Sequence, residues 1–210
     1  MSEHGTRVDL EAVACLYSKS LEKYGATSIG VGWPNSDQHK LRFDKLAMLI
    51  DEDHSEISVN DLGCGYGALY HYLVEAGYRI SSYRGYDISS EMLVEARKRL
   101  PADRVVLSAS SALEARADYS FASGIFNVRF EESDDAWLEH IKRTLANMHE
   151  HSTKGFAFNL LSTYVDYRRE HLYYGDSLFF FDYCKREFSP FVALLHDYPL
   201  YEWTMIVRKP

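Results

Sequence analysis

Val59-Asn60-Asp61-Leu62-Gly63-Cys64-Gly65-Tyr66-Gly67 is the stretch whose reading decides the fold. A strand-like run over 57–62 enters it, and a helical run over 69–76 leaves it and stops at Gly77. Three glycines at alternate positions let the backbone turn tightly and approach a ligand without interference from a Cβ atom. The N–H groups that open the next helix are expected to face that ligand. Further on, Gly85-Tyr86-Asp87-Ile88 closes a second strand-like run over 79–86. A carboxylate there is placed to accept hydrogen bonds from both hydroxyls of a ribose.

Working outward, short apolar runs keep alternating with helical ones. A helix over 90–100 is stopped by Pro101, and strands follow over 105–108 and 119–123. A long helix over 134–149 carries Trp137, Ile141, Leu145 and Met148 on one stripe, and a fifth strand covers 156–161. Alternation of this kind predicts a mostly parallel sheet covered on both faces. The end differs: 191–196 and 203–208 are strand-like, and the link between them is too short for a crossover helix. These two runs are expected to pair antiparallel. Before the sheet, a helix over 8–24 ends at Gly25, and a glycine-rich loop reaches Trp33-Pro34. A second helix, capped by Ser36 or Asp37, runs to about Asp51.

Bulk properties narrow the function. The 210 residues fit one domain with a small cap, and 46% hydrophobic residues can bury a sizeable core. No stretch approaches the roughly 20 apolar residues of a membrane span. The start, Met1-Ser2-Glu3-His4-Gly5, carries no secretory pattern, so a cytoplasmic protein is expected. The three cysteines show neither disulfide nor zinc spacing, and no metal is expected; Cys15 reads as a core residue. A net charge of −8 argues against a nucleic-acid partner. The oligomeric state is left open.

Gly63-x-Gly65-x-x-Ala68 also satisfies a dinucleotide fingerprint, so a nicotinamide-dependent oxidoreductase is one reading. Three features favour S-adenosylmethionine as the cofactor. The Asp61 carboxylate suits an ammonium and a sulfonium better than a pyrophosphate. One doubly wound sheet leaves little room for a separate substrate domain. The closing antiparallel pair is foreign to dinucleotide folds. Asp61 to Gly67 resembles motif I of the class I S-adenosylmethionine-dependent methyltransferases, and Asp87 resembles their acidic residue after the second strand. The resemblance implies a Rossmann-like α/β three-layer sandwich, with a seven-stranded, mostly parallel sheet of order 3-2-1-4-5-7-6. It implies an N-terminal helical lid over residues 1–52 and a cofactor-binding domain over 53–210. A non-catalytic domain that keeps the fold is the third reading.

The expected cofactor contacts are Asp61, Gly63, Cys64, Gly65, Gly67, Asp87 and Ile88. Where the resemblance places a polar or acidic residue near the adenine, this chain has Ser108-Ala109-Ser110-Ser111-Ala112-Leu113, with no acid before Glu114. Ser110, Ser111 and the Ala112 backbone stand in that place. Ser123 and Gly124 follow the fourth strand, where the resemblance places the methionine end and the substrate. The absence of an Asn-Pro-Pro-Tyr or Asp-Pro-Pro-Tyr tetrapeptide is a second argument against a nucleic-acid base. Tyr24, Trp33 and Arg42 are expected in the lid, with Arg42 near the methionine carboxylate. The acceptor is expected to be a small molecule methylated at oxygen or nitrogen. Its candidate catalytic partners are His171, a titrating base; Tyr174, beside it in an aromatic-rich segment over 159–182; and Asn127.

Overall fold

The structure is a computed structural model and describes residues 8–33, 35–50 and 55–210. The boundary expected at residues 52 and 53, Pro34 and the first five residues lie outside these.

In chain order the elements are α1 (Glu11–Tyr24), a 3₁₀ turn (Ile29–Val31), α2 (Ser36–Ala47), β1 (Glu56–Leu62), α3 (Ala68–Glu75), β2 (Arg79–Asp87) and α4 (Ser90–Arg99). There follow β3 (Val105–Ala109), β4 (Ala117–Ala122), α5 (Asp134–His151), β5 (Ser152–Leu161), α6 (Ser177–Glu187), β6 (Phe191–Leu195) and β7 (Glu202–Arg208). The seven strands form one sheet, order β3-β2-β1-β4-β5-β7-β6. β1 to β5 pair parallel, and β7 runs antiparallel to both β5 and β6. This is the Rossmann-like sandwich expected from the alternation. The chain reverses its direction of travel across the sheet between β1 and β4, and such a switch point opens a crevice at the strands' carboxyl ends.

Each face of the sheet carries its own core. One packs Val59, Tyr83 and Phe121 against Leu46, Leu69, Leu73 and Ala96 from α2, α3 and α4. The other packs Phe156, Phe158 and Trp203 against Trp137, Ile141 and Leu145 of α5 and Phe180 of α6. The stripe read along α5 is the one buried.

Several local expectations are corrected. The α2 cap is Asn35, whose side chain accepts the Gln38 N–H at 2.8 Å, so Ser36 is already helical. That helix ends at Ala47, before the expected limit. Cys15 is exposed, because α1 buries only Val13 among its residues. β5 begins four residues early, at Ser152, where the Ser152 hydroxyl bonds the Ser120 hydroxyl and the Met148 carbonyl. The aromatic-rich segment contains the start of α6, capped by Asp176. Its Phe180 is buried, while Phe179 beside it is exposed.

Candidate active site

A cleft opens over the carboxyl ends of β1, β2 and β4. It encloses about 990 Å³, its open mouth included. The turn after β1 supplies Gly63, Cys64, Gly65 and Tyr66; β1 itself supplies Asp61; the end of β2 supplies Asp87 and Ile88. Ser110 and Ser111 line it after β3, and Ser123, Gly124 and Ile125 after β4. The N-terminal elements form the opposing wall, with Leu10, Val13 and Tyr17, then Val31, Trp33, His39 and Phe43.

The turn after β1 is built by spending its own amides. The N–H groups of Gly63 and Cys64 both donate to the Tyr86 carbonyl, at 2.7 and 3.0 Å. That of Gly65 donates to Asp87 Oδ2 at 2.8 Å, and that of Gly67 to the Cys64 carbonyl. The first three of these N–H groups therefore lock the turn to β2. What the turn offers is close approach. At Gly63, φ is +76° and an added Cβ would lie 2.2 Å from Ile125 Cγ2. Gly67 is not on the wall; it opens α3 in the left-handed conformation.

Two buried carboxylates face the cleft. Asp87 accepts Gly65 N–H on one oxygen and Ser89 N–H on the other. Each oxygen keeps a second lone pair for another donor. Burial raises its pKa, and the backbone hydrogen bonds oppose the rise. Asp61 is fully buried and accepts a hydrogen bond from the Tyr83 hydroxyl. Burial pushes its carboxyl up to about 7, against the pull of that hydrogen bond; Asp87 nearby adds to the rise. Gly85 sits opposite Asp61 on β2, and any side chain there would strike Cys64 Sγ at 2.8 Å and Leu107 at 2.7 Å. Tyr17 is half-buried near Asp87, and its phenol is pushed up to about 12, by desolvation first and then by that carboxylate. Burial likewise raises the Cys64 thiol well above its ordinary range.

The residues fit a ligand with an ammonium, a diol and further polar groups. The Ser123 hydroxyl oxygen is buried in the cleft wall and makes no hydrogen bond within the protein. A buried hydroxyl left unpaired costs roughly 1–3 kcal/mol, which a bound polar group would recover. Among the described residues, no group of three or more His, Cys, Asp or Glu side chains gathers to hold a metal ion. None of the described helices is long and apolar enough to cross a membrane.

Other expected site residues lie elsewhere. Arg42 is not on the wall. Its Nε sits 2.9 Å from a Glu202 oxygen, its Nη1 donates to the Gln38 carbonyl, and its guanidinium carbon lies 3.6 Å from the Trp33 ring centre. Trp33 is thereby pressed onto Gly124, where an added Cβ would fall 2.5 Å from the indole. Tyr24 is exposed at the end of α1, with Lys23 over its ring. Ala112 is tied to Ser110, whose hydroxyl donates to the Ala112 carbonyl and accepts from its N–H. Asn127 is buried, and its Oδ1 accepts Leu161 N–H while its carbonyl accepts Tyr173 N–H. His171 is exposed and stacks on Phe130; the Tyr174 hydroxyl accepts Arg169 N–H. None of Asn127, His171 and Tyr174 lines the cleft.

Two histidines that the sequence reading passed over do line it. His39 stands between Trp33 and Phe43, its ring centre 6.2 and 4.5 Å from theirs. Burial, with Arg42 adding, lowers its pKa to about 4. His140 comes from α5 together with Thr144, and burial, with Arg143 adding against Glu132, lowers it to about 4 as well. The signal was faint. His140 falls on the buried stripe between Trp137 and Thr144, a place usually held by an apolar side chain.

Residues 60–154 match the model of a family described as a methyltransferase domain. The protein named Putative methyltransferase Rv1506c, from Mycobacterium tuberculosis (strain ATCC 25618 / H37Rv), is 48% identical over 158 residues, covering 72% of this chain and 93% of that one. Among solved structures, the magnesium protoporphyrin IX methyltransferase (ChlM) of Synechocystis PCC 6803 with bound SAM is similar, with a TM-score of 0.67 and 15% identity. That match covers 98% of this chain and 99% of that one. The structure titled DhpI-SAM-HEP complex has a TM-score of 0.68 and 13% identity, covering 100% of both chains.

Proposed function

Given that this chain belongs to the class I S-adenosylmethionine-dependent methyltransferases, we propose that its cleft passes the methyl group to a small molecule, at an oxygen or a nitrogen. S-adenosylmethionine is the cofactor, and the oxidoreductase reading of the glycine turn falls away. One observation carries the proposal: the space beside the turn and the end of β4 is roofed by Val31, Trp33, His39 and Phe43 of the same chain. A largely apolar cleft walled by the chain's own N-terminal elements suits a small acceptor. The enzyme named for magnesium protoporphyrin IX has this same fold.

When bound, the cofactor supplies an electrophilic methyl group on a sulfonium whose departure leaves a neutral thioether. The protein's part is to hold and to align. Asp61 holds the ammonium, Asp87 the ribose hydroxyls, and the Ser123 hydroxyl a polar group at the methionine end. Gly63 and Gly65 let the chain lie close under the ligand, and Ile88 and Ser111 border the base. Trp33, fixed from behind by Arg42, closes the acceptor side and keeps water out. An acceptor held in line there gains by positioning, which is worth roughly 7–11 kcal/mol in favourable cases. His39, uncharged at neutral pH, offers one N–H and one lone pair to orient the acceptor. Since His171 does not line the cleft, His39 replaces it as the histidine of the acceptor side.

The test is methyl transfer from radiolabelled S-adenosylmethionine to a panel of small hydroxyl, carboxyl and amine compounds. Labelled small-molecule product that falls at least tenfold in Trp33→Ala supports the reading. Transfer confined to protein or nucleic acid added to the same panel overturns it.

A further inference from the structure

We propose that His140 is the residue that recognises the adenine base, accepting a hydrogen bond from its exocyclic amine in place of an acidic residue after β3. This rests on the reading of the cleft as the cofactor site.

The direction of the ligand follows from the sheet. Asp87, suited to the ribose, ends β2; Asp61 and Gly63, suited to the methionine end, belong to β1 and to the turn after it. In the order β3-β2-β1-β4, the base must then extend from β2 toward β3, away from β1. The loop leaving β3 begins at that end, since Ala109 pairs with Asp87 and Ser110 N–H donates to the Asp87 carbonyl.

That loop has little with which to read a base. It carries no carboxylate before Glu114. The Ser110 hydroxyl is closed on Ala112, and Ser111 offers only a short hydroxyl. α5 brings the missing reach. Asn147 clamps the loop from both sides: its Oδ1 accepts Leu113 N–H at 2.8 Å, and its Nδ2 donates to the Leu113 carbonyl at 3.2 Å. Thr144 and His140 lie three and seven residues before Asn147, on the same helix face, and both line the cleft. The Thr144 hydroxyl is already given to the His140 carbonyl. The imidazole is thus the long polar side chain that α5 brings to this end, with Leu10, Val13 and Ile88 as apolar neighbours for the flat base.

The protonation state agrees. Burial and the neighbouring Arg143 keep the ring uncharged at neutral pH, with Glu132 opposing weakly. An uncharged imidazole has a lone pair for the amine, whereas an imidazolium would set N–H against N–H.

The experiment is calorimetry of S-adenosylhomocysteine and its 6-deamino analogue, a purine without the amine, on wild type, His140→Ala and His140→Gln. Wild type should bind S-adenosylhomocysteine about three- to tenfold more tightly than the deamino compound, the worth of one hydrogen bond. His140→Ala should bind the two alike, and His140→Gln, which keeps an acceptor, should regain part of the difference. Should His140→Ala fail to fold, as judged by circular dichroism, His140→Leu, which fills the space without an acceptor, decides: a ratio equal to or above that of wild type overturns the proposal. So does an unchanged ratio in His140→Ala, or a wild type that does not distinguish the compounds. A wild type that binds neither compound would instead overturn the reading of the cleft as the cofactor site.

Discussion

Arg42 and Glu202 are 160 positions apart in sequence and form a buried ion pair, with Nε 2.9 Å from the carboxylate. The other flank of the guanidinium lies on Trp33, so α2 and β7 together hold the aromatic wall of the cleft. Taking one partner away strands a charge in the interior, at a cost of about 3–5 kcal/mol. Arg42→Ala should lower stability by that amount and loosen Trp33, weakening cofactor binding several-fold. Arg42→Met combined with Glu202→Leu should restore most of the stability, because no charge is left unpaired. Denaturant titration and calorimetry of the three proteins check this. Equal stability of Arg42→Ala and wild type would refute it.

The burial of Asp61 sets a pH dependence, which the hydrogen bond from Tyr83 moderates. The Asp61 carboxyl is raised by burial to about 7 in the protein, from 3.8. A raised acid is protonated over more of the pH range when folded, so its ionisation costs stability as pH climbs through that window. The ionised form is the one that attracts an ammonium. Affinity for S-adenosylhomocysteine should therefore rise between pH 5.5 and 7.5, by up to about tenfold per unit at the acid end. Tyr83→Phe removes a donor to the carboxylate and should move the rise upward by roughly one to two units. Asp61→Asn should flatten it. A flat profile in wild type would show that Asp61 does not titrate against the ligand.

Gly63→Ala should abolish measurable cofactor binding. The added Cβ meets Ile125 Cγ2 at 2.2 Å, and the left-handed φ of +76° adds about 1–2 kcal/mol of backbone strain. Pairing it with Ile125→Ala relieves the collision and leaves the strain. The double variant should recover only part of the affinity, as read by thermal shift with S-adenosylhomocysteine. Full recovery would mean that the backbone conformation is unimportant.

Asn159 stands buried between the wall anchor and the cleft. Its Oδ1 accepts Gly124 N–H at 2.7 Å, and its Nδ2 faces Glu202 at 3.4 Å. Asn159→Leu leaves the Gly124 N–H unsatisfied and should cost roughly 1–3 kcal/mol. Asn159→Asp keeps the acceptor but sets a carboxylate beside Glu202, so its deficit should grow from pH 5 to pH 8. Thermal melts at the two pH values measure both effects. A pH-independent deficit in Asn159→Asp would argue against the contact with Glu202.

The sheet and the turn after β1 were legible because both rest on local pattern: alternating runs, stop signals at Gly77 and Pro101, and glycines beside Asp61. The closing hairpin was legible for the same reason, since the link from β6 to β7 is short. What escaped notice depends on distant neighbours. α6 was hidden because Phe179, Phe180 and Phe181 have no helical period among themselves, and only the Asp176 cap marks its start. Arg42 was assigned to a ligand because nothing in the sequence joins it to Glu202. His171, Tyr174 and Asn127 were singled out as polar residues near probable loops, yet Asn127 ties the loop after β4 to β5 and the other two sit outside the cleft. His39 and His140 drew no attention on their helices, because a pocket facing a helix shows only as one polar residue among apolar neighbours.

The tie between Arg42 and Glu202 has a temporal side. A ribosome delivers α2 long before β7, so for most of synthesis the arginine lacks its counter-charge and the indole its backing. The aromatic wall can take its final place only after the last strand has emerged and docked against β5. A nascent chain stopped short of Glu202 would already hold every glycine of the turn, both acidic residues and the parallel strands, yet would remain open along one side.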